Sequence, residues 1–425
     1  MNGADLQNIV EENANGRQEV YGVFDPARIP QLAIQPITNV RDISLAVSPD
    51  CSYRLVRDAL AKATTTLDIY IYNASADYLL DLVLEARDRH VTVRVMYDVM
   101  DTRGNEREKL RKLGVALKEA PSSGRRQVFT VCHQKFVVVD SRSLVIGSAN
   151  WATTSIPKAT VPGKFRKGNR EWLVHVKDER VATWFAGLFQ ADWDIPAMEG
   201  PAGALAMPEV PVVEAMETRA AAVSVPEKVF DVESPGLGTG VTVTPILSPD
   251  NYFTLVRQLI RNAQVSIDVE QQYIVAGGPK TQALLQELAA RKDQVRIRII
   301  VSPAFAKNWD KTVQTLNVAE LDDRLRAINL DSFTHLHNKG VLVDGRFTVV
   351  TSTNMSENSI TQAREAGVLI DSPAIGQYFE RVVDVDWKSG LDPADVRARL
   401  AEVEATLARV DEPTQTIHPA DARMI

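Results

Sequence analysis

The chain contains HQKFVVVDSRSLVIGSANW at residues 133–151 and HNKGVLVDGRFTVVTSTNM at residues 337–355. Each stretch begins with His-x-Lys, has an aspartate seven residues after the histidine and closes with Ser-x-Asn. In both, a hydrophobic run ends at the aspartate, turn residues follow, and a second β-rich run begins. This order is typical of a β-hairpin. The sequence therefore predicts two matched hairpins that carry the same polar residues.

The register of each hairpin predicts which polar residues face one another. With two-residue loops at positions 141–142 and 345–346, Asn150 lies opposite His133, and Ser148 lies opposite Lys135. The second hairpin repeats the arrangement with Asn354, His337, Ser352 and Lys339. Opposed side chains on one face have Cβ atoms about 5 Å apart. Each hairpin would then present an imidazole, an ammonium, a hydroxyl and an amide to one anionic ligand, with Asp140 and Asp344 left as turn residues.

A whole-domain repeat contains the two hairpins. Ser48–Asp68 matches Ser248–Asp268, with Ser-Pro-Asp, Leu-Val-Arg and a closing Asp in register. Both copies continue as helix, strand, helix and strand, which predicts an α/β fold with a mixed β-sheet flanked by helices. The predicted divisions are an N-terminal segment (1–40), domain 1 (41–195), a linker or crossover (196–240), domain 2 (241–390) and a C-terminal helix and tail (391–425).

Composition narrows the class of protein. The chain has 425 residues, 45% of them hydrophobic and 24% charged, which is typical of globular proteins and excludes a disordered or fibrous chain. A net charge of −7 disfavours a protein that coats nucleic acid, although a local basic cleft remains compatible with it. Two cysteines predict no disulfide framework. With neither a signal-peptide pattern nor an apolar run of eighteen residues, we expect a cytoplasmic protein.

The paired motif resembles the signature of the phospholipase D superfamily, HxKxxxxD followed by Gly-Ser and Asn. The first copy matches throughout, whereas the second has Thr351 in place of the usual glycine. The resemblance extends from about Ser44 to Trp387. It implies two tandem phospholipase D-like domains that form an internal pseudo-dimer with one active site at their interface. We expect a monomer with no protein partner.

The resemblance also implies roles for the site residues. His133 is assigned as the nucleophile that forms a phosphohistidine and His337 as the general acid and base, although the residues alone are equally compatible with the reverse. The phosphoryl oxygens would be held by Lys135, Lys339, Asn150 and Asn354, with Ser148 and Ser352 as supporting donors. No metal or cofactor is required. His335 lies two residues before His337, but no carboxylate or cysteine cluster completes a metal site with it.

Each histidine needs an acceptor on its far ring nitrogen to fix its tautomer. Glu171 and Glu365 follow the two hairpins at similar positions, each preceded by arginine and followed by an apolar strand. The sequence does not decide which glutamate serves which histidine.

Basic and aromatic residues near the first hairpin either grip a polyanion or a headgroup surface, or form a solvated loop. They are Arg125, Arg126, Lys158, Lys164, Arg166, Lys167 and Arg170, with Trp151, Phe165 and Trp172. The expected substrate is a phospholipid at a membrane surface, cleaved as a phosphodiester. A nuclease of the same superfamily, acting on DNA or RNA, is the alternative. A non-catalytic phosphate-binding module is a third, disfavoured because both copies keep their His and Lys.

Overall fold

The fold is that of a computed structural model, which describes residues 9–12, 18–21, 24–98, 104–158, 167–198, 229–304 and 306–398. The first half contains the strands β1 (Ile9–Glu12), β2 (Gln18–Tyr21), β3 (Ile37–Val40), β4 (Ile43–Ser48), β5 (Thr66–Ile71), β6 (Thr92–Tyr97), β7 (Ala116–Glu119), β8 (Phe136–Val139), β9 (Ser143–Gly147) and β10 (Glu171–Val176). Its helices are α1 (Ser52–Leu60), α2 (Asp77–Asp88), α3 (Gly104–Lys112) and α4 (Glu179–Asp194).

The second half repeats this order. Its strands are β11 (Val241–Ser248), β12 (Ser266–Gln271), β13 (Arg296–Val301), β14 (Leu325–Ala327), β15 (Val341–Val343), β16 (Phe347–Thr351) and β17 (Glu365–Asp371). Its helices are α5 (Tyr252–Asn262), α6 (Pro279–Arg291), α7 (Ala306–Val318), α8 (Glu357–Thr361) and α9 (Pro373–Ser389). Short 3₁₀ turns occur at Pro26–Arg28, Gly124–Arg126 and Asp322–Arg324.

Each half is built on a mixed sheet. Within the described residues, the first sheet has seven strands in the order β4-β10-β9-β8-β5-β6-β7, and the second has eight in the order β14-β13-β12-β15-β16-β17-β11-β3. In both sheets a parallel pair (β5 with β6, β12 with β13) lies next to an antiparallel hairpin. Helices flank both sheets, which confirms the predicted α/β class. The strand β3 comes from the N-terminal segment, yet it pairs with β11 of the second half.

One cluster of buried hydrophobic side chains spans both halves, and a second cluster lies within the second half. Trp172 of β10 is fully buried, and its ring lies 4.4 Å from the ring of Phe379 on α9. Both residues belong to a single cluster of buried side chains that contains members of both sheets. Gly340 lies under this contact, since a Cβ at that position would be 2.5 Å from the Trp172 ring. Packing therefore fixes how the halves dock.

The predicted two-residue hairpin loops are wrong by one residue. Val139 pairs with Ser143 and Val343 with Phe347, so each loop holds three residues. In the first loop, Asp140 and Ser141 both have left-handed backbones, with φ of 55° and 52°. A register shift of one residue changes which positions face each other along the whole ladder. Moreover, β8 begins only at Phe136 and β9 ends at Gly147, so the polar residues lie beyond the paired strands.

The predicted linker and the predicted C-terminal segment are only partly described. Most of the predicted linker, residues 199–228, lies outside the described residues. Its last part packs on the first half, where the main chain of Glu233 exchanges hydrogen bonds of 2.7 and 3.1 Å with Leu45. Residues 393–398 are helical, and the remainder of the predicted C-terminal helix and tail lies outside the described residues.

Candidate active site

The two His-x-Lys segments meet at the interface between the halves. The N–H of His133 donates to the carbonyl of Arg364 (2.9 Å), and the N–H of His337 donates to the carbonyl of Arg170 (3.1 Å). Each segment is thus held by a main-chain bond to the strand end of the opposite half. The centres of the two imidazole rings lie 6.3 Å apart, and both side chains are largely buried. The structure therefore brings both histidines into one site.

Each histidine is paired with the glutamate of the other half. Nδ1 of His133 lies 3.0 Å from Oε2 of Glu365 and 3.1 Å from the carbonyl oxygen of Ser352. Nδ1 of His337 lies 2.9 Å from Oε1 of Glu171. Carboxylate and carbonyl oxygens accept, so Nδ1 carries the hydrogen in both rings. In a neutral imidazole, Nε2 is then left with its lone pair. The pairing that the sequence left open is crossed.

The two motif serines support the glutamates. Ser148 Oγ donates to Glu171 Oε2 (2.5 Å) and accepts from the N–H of Trp172 (3.3 Å). Ser352 Oγ accepts from the N–H of Ala366, next to Glu365, at 3.1 Å. The Ser148 contact orients the Glu171 carboxylate behind His337, and a side-chain hydrogen bond from Ser352 opposes the rise in the pKa of Glu365. The substrate-binding role of the serines stays a prediction.

The two motif lysines lie in unlike surroundings. Each Nζ donates to the carbonyl of the histidine two residues earlier. Lys135 Nζ also lies 4.9 Å from the centre of the Tyr72 ring, whereas Lys339 Nζ is 3.4 Å from Oε1 of Gln272. Tyr72 packs edge-on against His133, with ring centres 4.6 Å apart. The sequence analysis did not predict Tyr72 or Gln272 as site residues. The repeat places them at equivalent positions, since Tyr72 directly follows β5 and Gln272 directly follows β12.

The asparagines end the motif at a fixed place in each half. Trp151, next to Asn150, donates its N–H to Asn73 O (2.9 Å), and Met355, next to Asn354, donates its N–H to Gln271 Oε1 (3.0 Å). Within the described part of the chain, Oδ1 of Asn150 and Oδ1 of Asn354 are buried without a hydrogen-bond partner. A buried polar atom without a partner costs about 1–3 kcal/mol, which a bound ligand or water offsets. The phosphoryl-binding role of these amides stays a prediction.

Burial and neighbouring charges give the two histidine–glutamate pairs different proton affinities. Burial, followed by Lys135 and Lys339, holds the pKa of His133 well below its usual range. Burial raises the pKa of Glu365 to about 7 against the effect of the lysines. In the other pair, the charge of His337 and the hydrogen bond from it outweigh burial and lower the pKa of Glu171 to about 2. The first pair therefore favours a neutral imidazole, whereas in the second an anionic Glu171 stabilises the protonated form of His337 against burial.

The same site lowers the proton affinity of a lysine and of the second histidine. Burial lowers the pKa of Lys339 to about 8, opposed by Glu171 and Glu365. Burial also lowers the pKa of His337, but Glu171 opposes this shift. His337 thus has a partner that stabilises its protonated form directly. Two unlike imidazoles are what acid–base chemistry on one substrate requires.

The two motif aspartates lie at the turns and anchor each hairpin to the sheet. Asp140 accepts main-chain hydrogen bonds from residues 64, 65 and 66, the last two at 2.7 and 2.9 Å. Asp344 accepts in the same way from residues 264, 265 and 266. Burial opposes ionisation of Asp140, but these bonds together hold its pKa well below the usual range. Both aspartates are therefore bonded to the loop that precedes β5 or β12.

Several cations of the predicted basic loop, for which polyanion or headgroup binding and a solvated loop were both left open, make internal contacts instead. Arg170 is buried in an ion pair with Asp386. Arg126 donates to the carbonyls of Ile195 and Asp192, and Lys167 donates to the carbonyl of Leu330. Trp172 is in the core. Lys164, Phe165 and Arg166 lie outside the described residues.

The described ranges contain neither a candidate metal site nor a candidate membrane-spanning helix. They contain no group of three or more His, Cys, Asp or Glu residues arranged to hold a metal ion. No helix within them is long and apolar enough to cross a membrane. His335 is engaged by Ser302, whose Oγ lies 2.5 Å from Nδ1.

One protein-family model matches both halves of this chain, and several known proteins match about a third of it. A family model described as "Cardiolipin synthase, PLD-like domain" matches residues 56–193 and 256–387. A mitochondrial cardiolipin hydrolase of Chlamydomonas reinhardtii is 29% identical over 140 residues, which are 32% of this chain and 56% of that protein. The human mitochondrial cardiolipin hydrolase is 31% identical over 143 residues, which are 33% of this chain and 50% of that protein. The chain thus spans about half the length of these curated relatives.

A nuclease and a solved structure also match. The 5'-3' exonuclease PLD3 of Xenopus laevis is 26% identical over 184 residues, which are 39% of this chain and 36% of that protein. The crystal structure of phosphatidylserine synthase from Haemophilus influenzae Rd KW20 superposes with a TM-score of 0.57 at 15% identity. That superposition covers 87% of this chain and 96% of the synthase, and it shows a shared fold. Because the family model matches both repeats and more than half of the chain, the protein belongs to the phospholipase D superfamily.

Proposed function

We propose that the protein is a metal-independent phosphodiesterase that hydrolyses phospholipid diesters through a phosphohistidine intermediate. The crossed pairing carries the proposal: each imidazole is oriented by a buried glutamate of the opposite half, and the two rings are 6.3 Å apart. Two oriented imidazoles at this separation can act on opposite sides of one phosphorus atom. This is the geometry that in-line displacement needs.

In the first step, Nε2 of His133 attacks phosphorus and the bond to the leaving oxygen breaks. Its lone pair is available because Nδ1–H is committed to Glu365 and the Ser352 carbonyl. His337, protonated and paired with Glu171, donates its Nε2 proton to the leaving alkoxide. In the second step, neutral His337 accepts a proton from water, and the hydroxide displaces His133. The products are an alcohol and a phosphomonoester, and both histidines regain their starting states.

The lysines and asparagines would stabilise the charge that develops on the phosphoryl oxygens. Lys135 and Lys339 are both buried in the site. The ammonium group of Lys135 lies over the Tyr72 ring, and that of Lys339 donates to Gln272 Oε1. Fixed donors in a site that excludes water act more strongly than in solution and need no reorganisation during the reaction. We therefore expect substitution of either lysine to lower kcat rather than to raise KM alone.

A phospholipid is the substrate that we favour. The matching family model is described by its relation to cardiolipin synthase, and two of the relatives are named for cardiolipin hydrolysis. The engagement of Arg126, Lys167 and Arg170 in internal contacts removes cations that a nucleic-acid groove would use. The second candidate is a nuclease that acts on single strands, which the match to an exonuclease favours.

The test is cleavage in chelator of cardiolipin vesicles, phosphatidylcholine vesicles and single-stranded DNA. We expect lipid cleavage that chelator does not affect, and its loss in His133→Asn and in His337→Asn. His90→Asn is the matched control, because His90 is exposed and has φ of 66°, which asparagine tolerates. Cleavage of DNA alone would replace the lipid substrate by the nuclease alternative, whereas cleavage that requires a metal ion would contradict the mechanism.

A further inference from the structure

Two buried arginines immediately precede the two glutamates of the site. Arg170 is 1% exposed, and its Nε and Nη2 donate to the two carboxylate oxygens of Asp386 at 2.7 and 2.8 Å. Its Nη1 donates to Asp50 at 3.0 Å. The guanidinium carbon lies 4.3 Å from the centre of the Phe333 ring. A bidentate pair with a stacked ring fixes the orientation of the guanidinium as well as its position.

The second arginine repeats this arrangement with the halves exchanged. Arg364 is fully buried, and its Nε and Nη2 donate to Asp192 at 3.1 and 3.0 Å. Its Nη1 donates to Asp250 at 2.9 Å, and the Phe129 ring centre lies 4.8 Å from the guanidinium carbon. In both cases the Nη1 partner belongs to the same half as the arginine, and the bidentate partner belongs to the other half. We call the two bidentate pairs, Arg170 with Asp386 and Arg364 with Asp192, the crossed latches.

We propose that Arg170 and Arg364 are positioning residues whose crossed latches hold Glu171 and Glu365 against the histidines of the opposite half. The proposal rests on the proposed function, because it assigns these residues a part in the same reaction. Neither arginine reaches the substrate in this account. Successive side chains of an extended chain point to opposite faces. Each arginine therefore makes its ion pair on the face opposite to that of the glutamate that follows it.

The main chain of each arginine makes the positioning direct. The N–H of Arg170 donates to the carbonyl of His335 (2.8 Å), and its carbonyl accepts from the N–H of His337 (3.1 Å). Arg170 thus positions His337 through a main-chain hydrogen bond and positions Glu171 through the peptide bond that joins the two residues. The N–H of Arg364 donates likewise to Val131 O (2.8 Å), and its carbonyl accepts from His133 N–H. A shift of either arginine would move one histidine and its acceptor together.

The two latches can be told apart from contacts that only stabilise the fold, because each latch positions a different histidine. The latch of Arg170 and Asp386 supports the acid His337, whereas the latch of Arg364 and Asp192 supports the nucleophile His133. An alkyl leaving group needs a proton from the acid, but an aryl leaving group such as nitrophenolate departs as a stable anion. A damaged Arg170 latch should therefore slow alkyl leaving groups more than aryl ones, and a damaged Arg364 latch should slow both equally.

The experiment compares two diesters that share one retained group and differ only in an alkyl or a nitrophenyl leaving group. Because both diesters share the second step, the rate compared is that of leaving-group release in the first turnover. We expect Asp386→Asn to lower this rate on the alkyl diester about 100-fold, the loss that a displacement of about 1 Å can cause. The ratio of the alkyl to the nitrophenyl rate should fall with it. Asp192→Asn should lower both rates and leave the ratio unchanged. Asp50→Asn is the matched control, since it removes the same-half partner of Arg170 and should also preserve the ratio.

A ratio measured on one preparation cancels any loss of folded enzyme, so lower stability cannot imitate the expected result. Arg170→Lys, which keeps the charge and loses the bidentate fork, gives the same test if Asp386→Asn does not fold. An unchanged ratio in Asp386→Asn or in Arg170→Lys would overturn the positioning role and leave a purely structural one. A wild-type protein inactive on both diesters would instead overturn the proposed function.

Discussion

Replacement of Glu171 by glutamine tests the electrostatics of the site while it preserves the shape of the site. Glu171 is fully buried between Ser148 and His337. An amide oxygen still accepts the hydrogen of His337 Nδ1, and the amide N–H₂ can donate to Ser148. The substitution therefore removes one negative charge and leaves the tautomer of His337 in place.

The sign of the effect follows from the pKa of His337. Burial lowers this pKa, and the charge of Glu171 opposes the shift. Without that charge, the pKa falls further, and His337 loses its proton at a lower pH. Since the acid acts in its protonated form, the basic limb of kcat must move to lower pH. The deficit is largest at high pH and shrinks as the pH falls, because both proteins are then protonated.

The size of the effect follows from the bond that loses its charge. A hydrogen bond to a charged group contributes about 1.5–3 kcal/mol. At about 1.4 kcal/mol for each factor of ten in rate, we expect kcat at pH 7 to fall about 10- to 100-fold. The assay is kcat against pH with a substrate that has an alkyl leaving group, so that proton donation is needed.

Glu365→Gln is the matched control for this experiment. It makes the same change beside the other histidine, whose glutamate already has a pKa of about 7. The basic limb should therefore stay at its wild-type position in this variant. A basic limb that moved in Glu365→Gln and stayed in place in Glu171→Gln would refute the assignment of His337 as the acid held by Glu171.

Two further substitutions test the framework of the site. In Asp140→Asn we expect a loss of about 1–3 kcal/mol in the free energy of unfolding at pH 7, measured by denaturant titration, with kcat of the folded fraction unchanged. The pKa of Asp140 is depressed in the folded protein, so its contribution to the free energy of unfolding is present above about pH 4 and is lost as the pH falls. The variant should therefore differ least from wild type in acid. An equal difference in stability at every pH would contradict this role. Gly340→Ala places a Cβ 2.5 Å from the Trp172 ring and should lower the free energy of unfolding by about 1–3 kcal/mol, measured by thermal unfolding. Gly277→Ala is the control, because a Cβ there meets no atom within 4 Å. Equal melting temperatures of the two variants would show that the Trp172 ring has room to move.

The repeat and the paired motif predicted much of the site because they depend only on residue order. His133, Lys135, His337 and Lys339 are gathered in one place, and α1, β5, α2 and β6 follow the predicted order. The order of helices and strands follows from local periodicity, which a sequence records directly. The single shared site is what the resemblance to the superfamily implied.

Features that depend on backbone conformation or docking could not be predicted in the same way. The hairpin register failed because Asp140 and Ser141 adopt a left-handed turn, which neither residue type demands. The crossed pairing arises from contacts 166 and 232 residues apart in the chain, set by how the halves pack. Arg170 was assigned to a basic loop because its burial against Asp386 is invisible in the local sequence.

The central claim, that both halves form one site with His133 as the nucleophile, is tested most directly by trapping the intermediate. His337→Asn and His133→Asn are mixed with a nitrophenyl diester, denatured at alkaline pH within the first turnover and analysed by peptide mass spectrometry. We predict that the retained phosphoryl group is attached to the peptide that contains His133 in the first variant and to no peptide in the second. Attachment to His337 in the His133→Asn protein would contradict the account.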